Sequence, residues 1–378
     1  MKIAFFSSVL NHHQIAFCDN MYQIYGDQFV FVSTMNIEEQ RIKLGYSLFD
    51  RSYNLKMHKS DELKKQAAKL FQDADIVIIG VKLDEWLKVR LKNKKITFFY
   101  KERLFKEKPS LYWRLRCLAY VIKTYYPFRN TPFYMLAASA YSLEDYKSLG
   151  FFQNKTFAWG YFPPFIVHDP EELCKKKQAD RIHVFFAGRM IPCKHVDYVL
   201  AVAKALKGKN INFCMDIAGT GPLENDLKAA AKDMGLEDVV NFTGPMPPTQ
   251  VREYMEKANI YLFTSNREEG WGAVLNEAMN SGCAVVASRT AGSTKFMIKD
   301  GDNGLIYSND SVEQLIEKVI WLIEHPSCMN EMGRKAYETI ANLQNYEVAA
   351  KRFSEVAEAL YNKKPIPAFE DGPMKRLI

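Results

Sequence analysis

The chain reads as an α/β protein of two Rossmann-like domains, each with a parallel sheet, facing one another across a cleft. Three observations predict this. Apolar runs of strand length recur along the chain with helical patterns between several of them, which implies parallel sheets covered on both faces. The scheme occurs twice, on either side of a Pro- and Lys-rich stretch near the middle. The length, 378 residues with 48% apolar composition, exceeds the size at which one core keeps growing and fills two.

In the first half the predicted strands are 3–6, 29–33, 76–80, 96–100, 133–138 and 156–159. The stretch from Tyr161 to Asp180 holds Pro163, Pro164 and Pro170 and ends in the polar run Cys174-Lys175-Lys176-Lys177-Gln178, a linker composition. The second half continues with 182–187, 213–218, 239–243, 259–265, 284–288 and 305–308. The expected division is 1–165 for the first domain, 166–180 for the linker, 181–345 for the second domain, and 346–378 for a final helical segment (346–361) with a loosely held tail.

The most informative stretch is Glu269-Gly270-Trp271-Gly272-Ala273-Val274-Leu275-Asn276-Glu277. It lies between an apolar strand run and a segment of helical composition that stops at Gly282, where a C-cap glycine belongs. Amides at the start of that helix, near 272–275, lack intrahelical acceptors and favour a phosphate. Gly270 and Gly272 allow close approach of a ligand to the backbone. Glu277, about one turn into the helix, can accept hydrogen bonds from vicinal hydroxyls. The strand run 182–187 is followed by Gly188-Arg189 and then Lys194. Two cations on the loop after a strand, at the carboxyl end of a parallel sheet, suit a diphosphate and neutralise it as it leaves.

Several blocks occur in a consistent order: Gly188-Arg189 with Lys194, Ile217-Ala218-Gly219-Thr220-Gly221-Pro222-Leu223, Asn241-Phe242-Thr243-Gly244, Glu269 to Glu277 with Ala278-Met279 and Gly282, Ala284-Val285-Val286-Ala287-Ser288, and Asp300-Gly301-Asp302-Asn303-Gly304. By these blocks residues 182–308 resemble the C-terminal half of a family-4 retaining glycosyltransferase of the GT-B fold, in the group 1 glycosyl transferases. The resemblance implies that Arg189 and Lys194 hold the donor's diphosphate and that Gly188, Gly219 and Gly221 border it. It places Gly244, Pro245 and Met246 beside the base, Glu277 on the ribose and Glu269 on the transferred sugar, with Gly270 to Leu275 lining the donor. It also implies that the helix 346–361 crosses back to the first domain.

Two departures mark this chain off. Where many relatives carry a second acidic residue after a glycine pair, Ala291-Gly292-Ser293-Thr294-Lys295-Phe296 offers Lys295 or Phe296. The loop after the run 96–100, Lys101-Glu102-Arg103, lacks a histidine that some relatives have in this half. A nicotinamide or flavin enzyme is disfavoured, because residues 1–8 run into Val9-Leu10-Asn11 without a glycine and Gly219-Thr220-Gly221 is followed by Glu224 at the third required position.

Residues 1–165 hold 25 Lys or Arg against 15 Asp or Glu, and the remainder 26 against 29, so the basic half is the first. Its richest segment, residues 101–129, has eight basic residues against Glu102 and Glu107 and interleaves Tyr112, Trp113, Leu115, Leu118, Val121, Ile122, Tyr125, Tyr126 and Phe128. Such a mixture suits an anionic membrane surface; a helix covering the sheet with a solvated basic face explains the same pattern. No nucleic-acid module accompanies the charge, so nucleic acid is not an expected partner.

On the acceptor side the resemblance directs attention to His12 and His13, after the first strand, and to Glu102 and Arg103, after the fourth. The seven cysteines lack a Cys-x-x-Cys pair and are odd in number, which suits free thiols in a reducing compartment. Asp73/Asp75 and Asp300/Asp302 lie at a helix-to-strand junction and in a turn, so no metal and no cofactor are expected. The first residues enter a strand directly and no apolar run reaches membrane-spanning length. The expected location is cytoplasmic, with peripheral attachment to the inner face of the plasma membrane as a further expectation.

The expected function is transfer of a hexose-type sugar, with retention and without metal, from a UDP- or GDP-sugar to a glycan or lipid-linked saccharide in surface polysaccharide or glycoconjugate biosynthesis. Glu269, Arg189 and Lys194 are the expected catalytic residues. Three alternatives stay open: a nucleotide-sugar 2-epimerase of the same fold, a glycan phosphorylase, for which the chain is short, and a catalytically silent membrane-associated scaffold.

Overall fold

The computed structural model describes residues 1–36, 49–106, 110–178, 180–308 and 311–378. The strands among them are β1 (Ile3–Ser7), β2 (Phe29–Ser33), β3 (Asn54–Lys56), β4 (Ile76–Ile79), β5 (Ile96–Lys101), β6 (Phe133–Ala137), β7 (Thr156–Ala158), β8 (Ile182–Ala187), β9 (Phe213–Ala218), β10 (Val240–Gly244), β11 (Ile260–Phe263), β12 (Ala284–Ser288), β13 (Leu305–Tyr307) and β14 (Arg376–Leu377). The chain forms two units, Met1–Pro164 together with Asn345–Ile378, and Phe165–Gln344. Each carries one sheet.

In the first unit the order is β14-β7-β6-β5-β4-β1-β2-β3, and all neighbours are parallel except β14 with β7. Alternate residues of β1 serve opposite cores, which explains its unbroken apolar run. Ile3 and Phe5 pack with Phe17, Phe98 and Phe353, whereas Ala4 and Phe6 pack with Phe71, Leu87 and Phe99. Helices 15–25 and 346–361 cover the first face, and helices 61–73, 84–92 and 111–124 contribute to the second. Arg90, fully buried, joins three elements. Its guanidinium donates to the carbonyls of Phe71 and Ala74 at 2.8 Å, Asp75 at 3.1 Å and Ile96 at 2.7 Å, and to Thr97 Oγ1 at 3.0 Å.

Two strands lie outside the runs read from sequence. β3 and β14 have two or three residues each and sit at the edges of the sheet, where pairing on one side needs no apolar run. The segment 362–378, expected as a loosely held tail, is fastened. Met374 is fully buried, its N–H donates to the Ala158 carbonyl at 2.8 Å, and Arg352 Nη1 donates to the Asp371 carbonyl at 2.5 Å.

The second unit has the order β10-β9-β8-β11-β12-β13, parallel throughout. The stretch expected as a linker contains the helix Pro170–Lys176, with Asp169 Oδ1 accepting from the Glu171 amide at 2.8 Å. Pro at the first helical position after an Asp cap is a helix start as well as a breaker signal. Buried Lys177 then donates to the carbonyls of Met255, Glu256 and Ala258 at 2.7 to 3.1 Å.

In both units the strand order reverses beside the first strand. β8 leads to β9 and β10 on one side while β11 to β13 lie on the other, and β1 likewise separates β2 and β3 from β4 to β7. The carboxyl ends at such a reversal leave a crevice in which ligands of open parallel sheets bind. No helix among the described residues is long and apolar enough to cross a membrane.

Candidate functional site

At the reversal of the second sheet, the loops after β8 and β11 place Lys194 and Glu269 in contact. The side chains form a close ion pair and are 14% and 16% exposed. Lys194 sits on a fixed turn. Thr264 Oγ1 donates to its carbonyl at 2.6 Å, Asn266 N–H donates to Cys193 carbonyl at 2.9 Å, and His195 after it adopts a left-handed φ of +47° before the helix Val196–Gly208. Glu269 is held by its own backbone: its N–H donates to the Asn266 carbonyl at 3.1 Å, and its carbonyl accepts from Gly292 at 3.2 Å. Arg189 is exposed. Burial pushes the Cys193 thiol up; the charges of Lys194 and Arg189 oppose this and those of Glu269 and Glu268 add to it.

Neighbouring loops are stitched together through backbone. Gly188 N–H donates to Ala218 carbonyl at 3.0 Å, Met190 to Thr220 at 3.0 Å, and Gly219 to Gly244 at 2.9 Å. This close approach explains two glycines. A Cβ on Gly219, whose φ is +127°, would stand 2.0 Å from the Gly188 carbonyl oxygen, and one on Gly221 would stand 2.4 Å from that of Met190. Gly244 has a φ of +74° and ends β10; Pro245 and Met246 follow it at the same end of the sheet.

The second half of the Glu269–Glu277 stretch differs from the sequence reading. The helix is Val274–Asn280, about two turns, and the Leu275 amide already donates to the Gly272 carbonyl at 2.9 Å. Trp271 is 1% exposed, and its Nε1 donates to Asn276 Oδ1 at 2.9 Å. Its ring lies 6.2 Å from that of Phe296, one of the two residues at which the chain departs from the family pattern. Trp271, Ala273 and Leu275 are therefore core side chains, and at these positions only backbone is left for a ligand. Gly272, with φ +82°, has Phe263 where a Cβ would be.

Glu277 is partly buried and faces Arg252, which is itself buried and donates to Asn280 Oδ1 at 2.6 Å. The buried Tyr261 hydroxyl donates to the Ala187 carbonyl at 3.1 Å, and burial, with the charges of Glu277 and Glu269, pushes its pKa up. Burial pushes the Glu277 carboxyl above the usual range, and Arg252 opposes this. A raised acid stabilises the fold below its unfolded value and loses that contribution as pH rises through its folded value. Glu277→Gln cannot ionise, so the melting temperature of the variant minus that of the wild type is expected to increase from about pH 4 to about pH 8. A difference that stays flat or shrinks contradicts this.

The first unit has a cavity of about 500 Å³ at its own reversal, lined from β1 by Ser7 and Ser8, from β4 by Gly80 to Lys82, and from β5 by residues 99–104. Glu102 lies on its wall, accepting from Tyr161 Oη at 2.6 Å and from Lys106 Nζ at 2.8 Å. Arg103, another lining residue, is buried, lies 3.6 Å from Asp145 Oδ1 and stacks 4.8 Å above the Tyr141 ring. His13 stacks on Tyr161, a lining residue, at 5.4 Å, and its ring is tilted by 47° to that of His12 at 3.6 Å; the two histidines themselves are not among the lining residues. Lys101, also on its wall, stands with Glu102 and Arg103 on the loop that the sequence marks after the fourth strand run, whereas sequence reasoning missed Gln14 there, and missed Thr264 and Asn266, which fix Lys194 and Glu269. Only a polar residue directly after an apolar run signalled the latter pair. Among the described residues no group of three or more His, Cys, Asp or Glu could hold a metal ion.

The architecture is that of a GT-B glycosyltransferase. The crystal structure of HepE from Anabaena in complex with UDP superposes with a TM-score of 0.70 at 15% identity, covering 95% of this chain and all of that one. The lipopolysaccharide outer core galactosyltransferase WaaB in its apo form gives 0.67 at 18% identity over 96% of this chain and all of that one. Residues 171–339 match the family described as glycosyl transferases group 1. An uncharacterized glycosyltransferase of Haemophilus influenzae is 29% identical over 174 residues, 45% of this chain and 48% of that one. The poly(ribitol-phosphate) alpha-N-acetylglucosaminyltransferase of Staphylococcus aureus is 28% identical over 166 residues, 44% of this chain and 33% of that one. The matched stretch thus spans about half the length of these curated relatives, or less.

Proposed function

We propose that this chain is a retaining, metal-independent glycosyltransferase that moves a hexose-type sugar from a UDP- or GDP-sugar to a glycan or lipid-linked saccharide acceptor, in surface polysaccharide or glycoconjugate biosynthesis. The observation that carries the reading is the Lys194–Glu269 ion pair between the loops after β8 and β11, with Arg189 on the same loop as Lys194 and Glu277 on the helix that follows Glu269. In it, Lys194 and Arg189 stabilise the departing diphosphate, where negative charge grows in the transition state. Glu269 orients the sugar and Glu277 takes the ribose hydroxyls. The leaving phosphate accepts the proton of the incoming hydroxyl on the same face. HepE, of the same fold, holds UDP in its crystal structure, which supports a uridine donor. A second cavity, on the first unit, favours transfer over epimerisation, which needs no acceptor.

Thermal unfolding with UDP, GDP, ADP and TDP in EDTA tests this. One nucleotide at 100 times its dissociation constant should stabilise by about 2.7 kcal/mol; no stabilisation by any of them contradicts a donor site.

The reading includes an anionic membrane surface as partner. Helix Leu111–Thr124 leaves Leu111 and Tyr112 73% and 71% exposed, with Trp113, Leu115 and Ile122 also exposed, and carries Arg114, Arg116 and Lys123. Clustered rings and basic residues bind the headgroup region of anionic bilayers. The protein is expected to sediment with phosphatidylglycerol-containing vesicles and not with pure phosphatidylcholine, and Tyr112→Ser with Leu115→Ser should weaken this at least about fivefold. Equal recovery with both vesicles contradicts it.

A further inference from the structure

The cavity of the first unit carries unmet binding capacity of a particular kind. Its two carboxylates are engaged: Glu102 by Tyr161 and Lys106, and Asp84 by the Tyr120 hydroxyl at 2.8 Å and by Lys82 at 3.8 Å. Of its four cations, Lys82, Lys106 and Arg103 have carboxylate partners. Lys101 is the exception. Among the described residues no carboxylate lies within 4.0 Å of its ammonium, which stands 5.0 Å over the Phe99 ring. It is partly buried, and that burial pulls its pKa down. Asp84 and Glu102 act on it from farther off, each already engaged elsewhere, so an anion brought into contact with this desolvated cation is favoured. Gln14 shows the complementary lack. It is 6% exposed, its Nε2 donates to Ser7 Oγ at 3.2 Å, and its Oε1 is buried with no partner among the described residues.

The wall therefore calls for one anion at Lys101 and one hydroxyl donor at Gln14 Oε1, between tyrosine rings that suit a sugar face. We propose that this cavity binds an acidic saccharide, a sugar unit bearing a carboxylate or phosphate, with Lys101 as the residue that selects for the charge. A neutral sugar offers hydroxyl oxygens that accept from the ammonium but no charge to offset it, and a bare anion leaves Gln14 unmet. This deepens the proposed transferase by naming the chemical class of its acceptor, and as acceptor selection it rests on that reading.

The test is titration of the full chain with p-nitrophenyl β-glucuronide, p-nitrophenyl β-glucoside, glucose 6-phosphate and inorganic phosphate, followed by ligand-observed NMR. UDP-induced stabilisation is measured on the same samples. The glucuronide or the sugar phosphate should bind at least about tenfold tighter than the glucoside, as one charge-assisted contact allows; which of the two binds tighter separates a carboxylate from a phosphate source. Lys101→Gln should abolish the preference and Lys101→Arg should keep it. Equal binding of charged and neutral sugars, or a preference that survives Lys101→Gln, overturns the proposal. Phosphate alone binding as tightly as the sugars overturns its saccharide part. These outcomes are read without turnover, so they are separate from a missing UDP shift, which would instead remove the donor reading. Should Lys101→Gln fail to fold, Gln14→Leu should weaken both glycosides without changing their ratio; a changed ratio contradicts the division of roles.

Discussion

Lys194→Ala is expected to lower sugar transfer by about 10²-fold or more, the scale of losing one preorganised stabiliser of developing charge. The ammonium is placed by backbone contacts of its own turn, the Thr264 hydroxyl on its carbonyl and the Asn266 amide on its neighbour's, so it is aimed before any ligand arrives. Its partner without ligand is Glu269. In the proposed cycle a diphosphate takes over the ammonium and Glu269 turns to the hydroxyls of the sugar. The alanine variant strands Glu269 in a partly buried position, which itself costs stability. Lys194→Ala combined with Glu269→Gln removes that cost, and is expected to melt close to wild type while staying inactive and unresponsive to UDP. Initial rates at saturating donor and melting curves check this; a Lys194→Ala enzyme within about threefold of wild-type turnover contradicts the role.

Gly219→Ala is expected to be the most damaging small change to the fold. The new Cβ would fall 2.0 Å from the Gly188 carbonyl oxygen, at a φ of +127° that L residues rarely adopt. Neither side can yield easily, because Gly188 N–H is bonded to Ala218 and Gly219 N–H to Gly244. Strain and collision together should remove about 3 kcal/mol or more, a fall in melting temperature of roughly 6 to 12 °C for a unit of this size. Gly301→Ala is the control. Its φ is +81° but open space surrounds it, so it should cost only about 1 to 2 kcal/mol. Equal melting of the two variants would show that the packed loops after β8 and β9 are looser than described.

The parts of the fold legible in the sequence are those whose physics is local. Central strands such as β1, β8 and β12 are buried on both faces and announce themselves as apolar runs. Strands β3 and β14 are paired on one side, short and polar, and left no such mark. Asp169-Pro170 was legible as a breaker and turned out to be a cap and a first helical residue. At the site, Arg189, Lys194, Glu269 and Glu277 stand out by residue type on loops after strand runs. That Lys194 pairs with Glu269, 75 residues away, follows only once β8 is known to lie beside β11. Trp271 reads like a ligand platform until its Asn276 bond and burial are seen. Lys101 is marked in the sequence only as one of the loop residues with Glu102 and Arg103, because what distinguishes it, an ammonium with no carboxylate within ion-pair distance among the described residues, depends on the folded wall around it.

The measurement that tests the central claim most directly is turnover of a UDP- or GDP-sugar followed by proton NMR in EDTA, with wild type beside Lys194→Ala. The account predicts consumption of one α-linked donor, release of its nucleoside diphosphate, a first-formed product of the same anomeric configuration, and loss of all three in the variant. A product of inverted configuration, or a rate unaffected by Lys194→Ala, would contradict it.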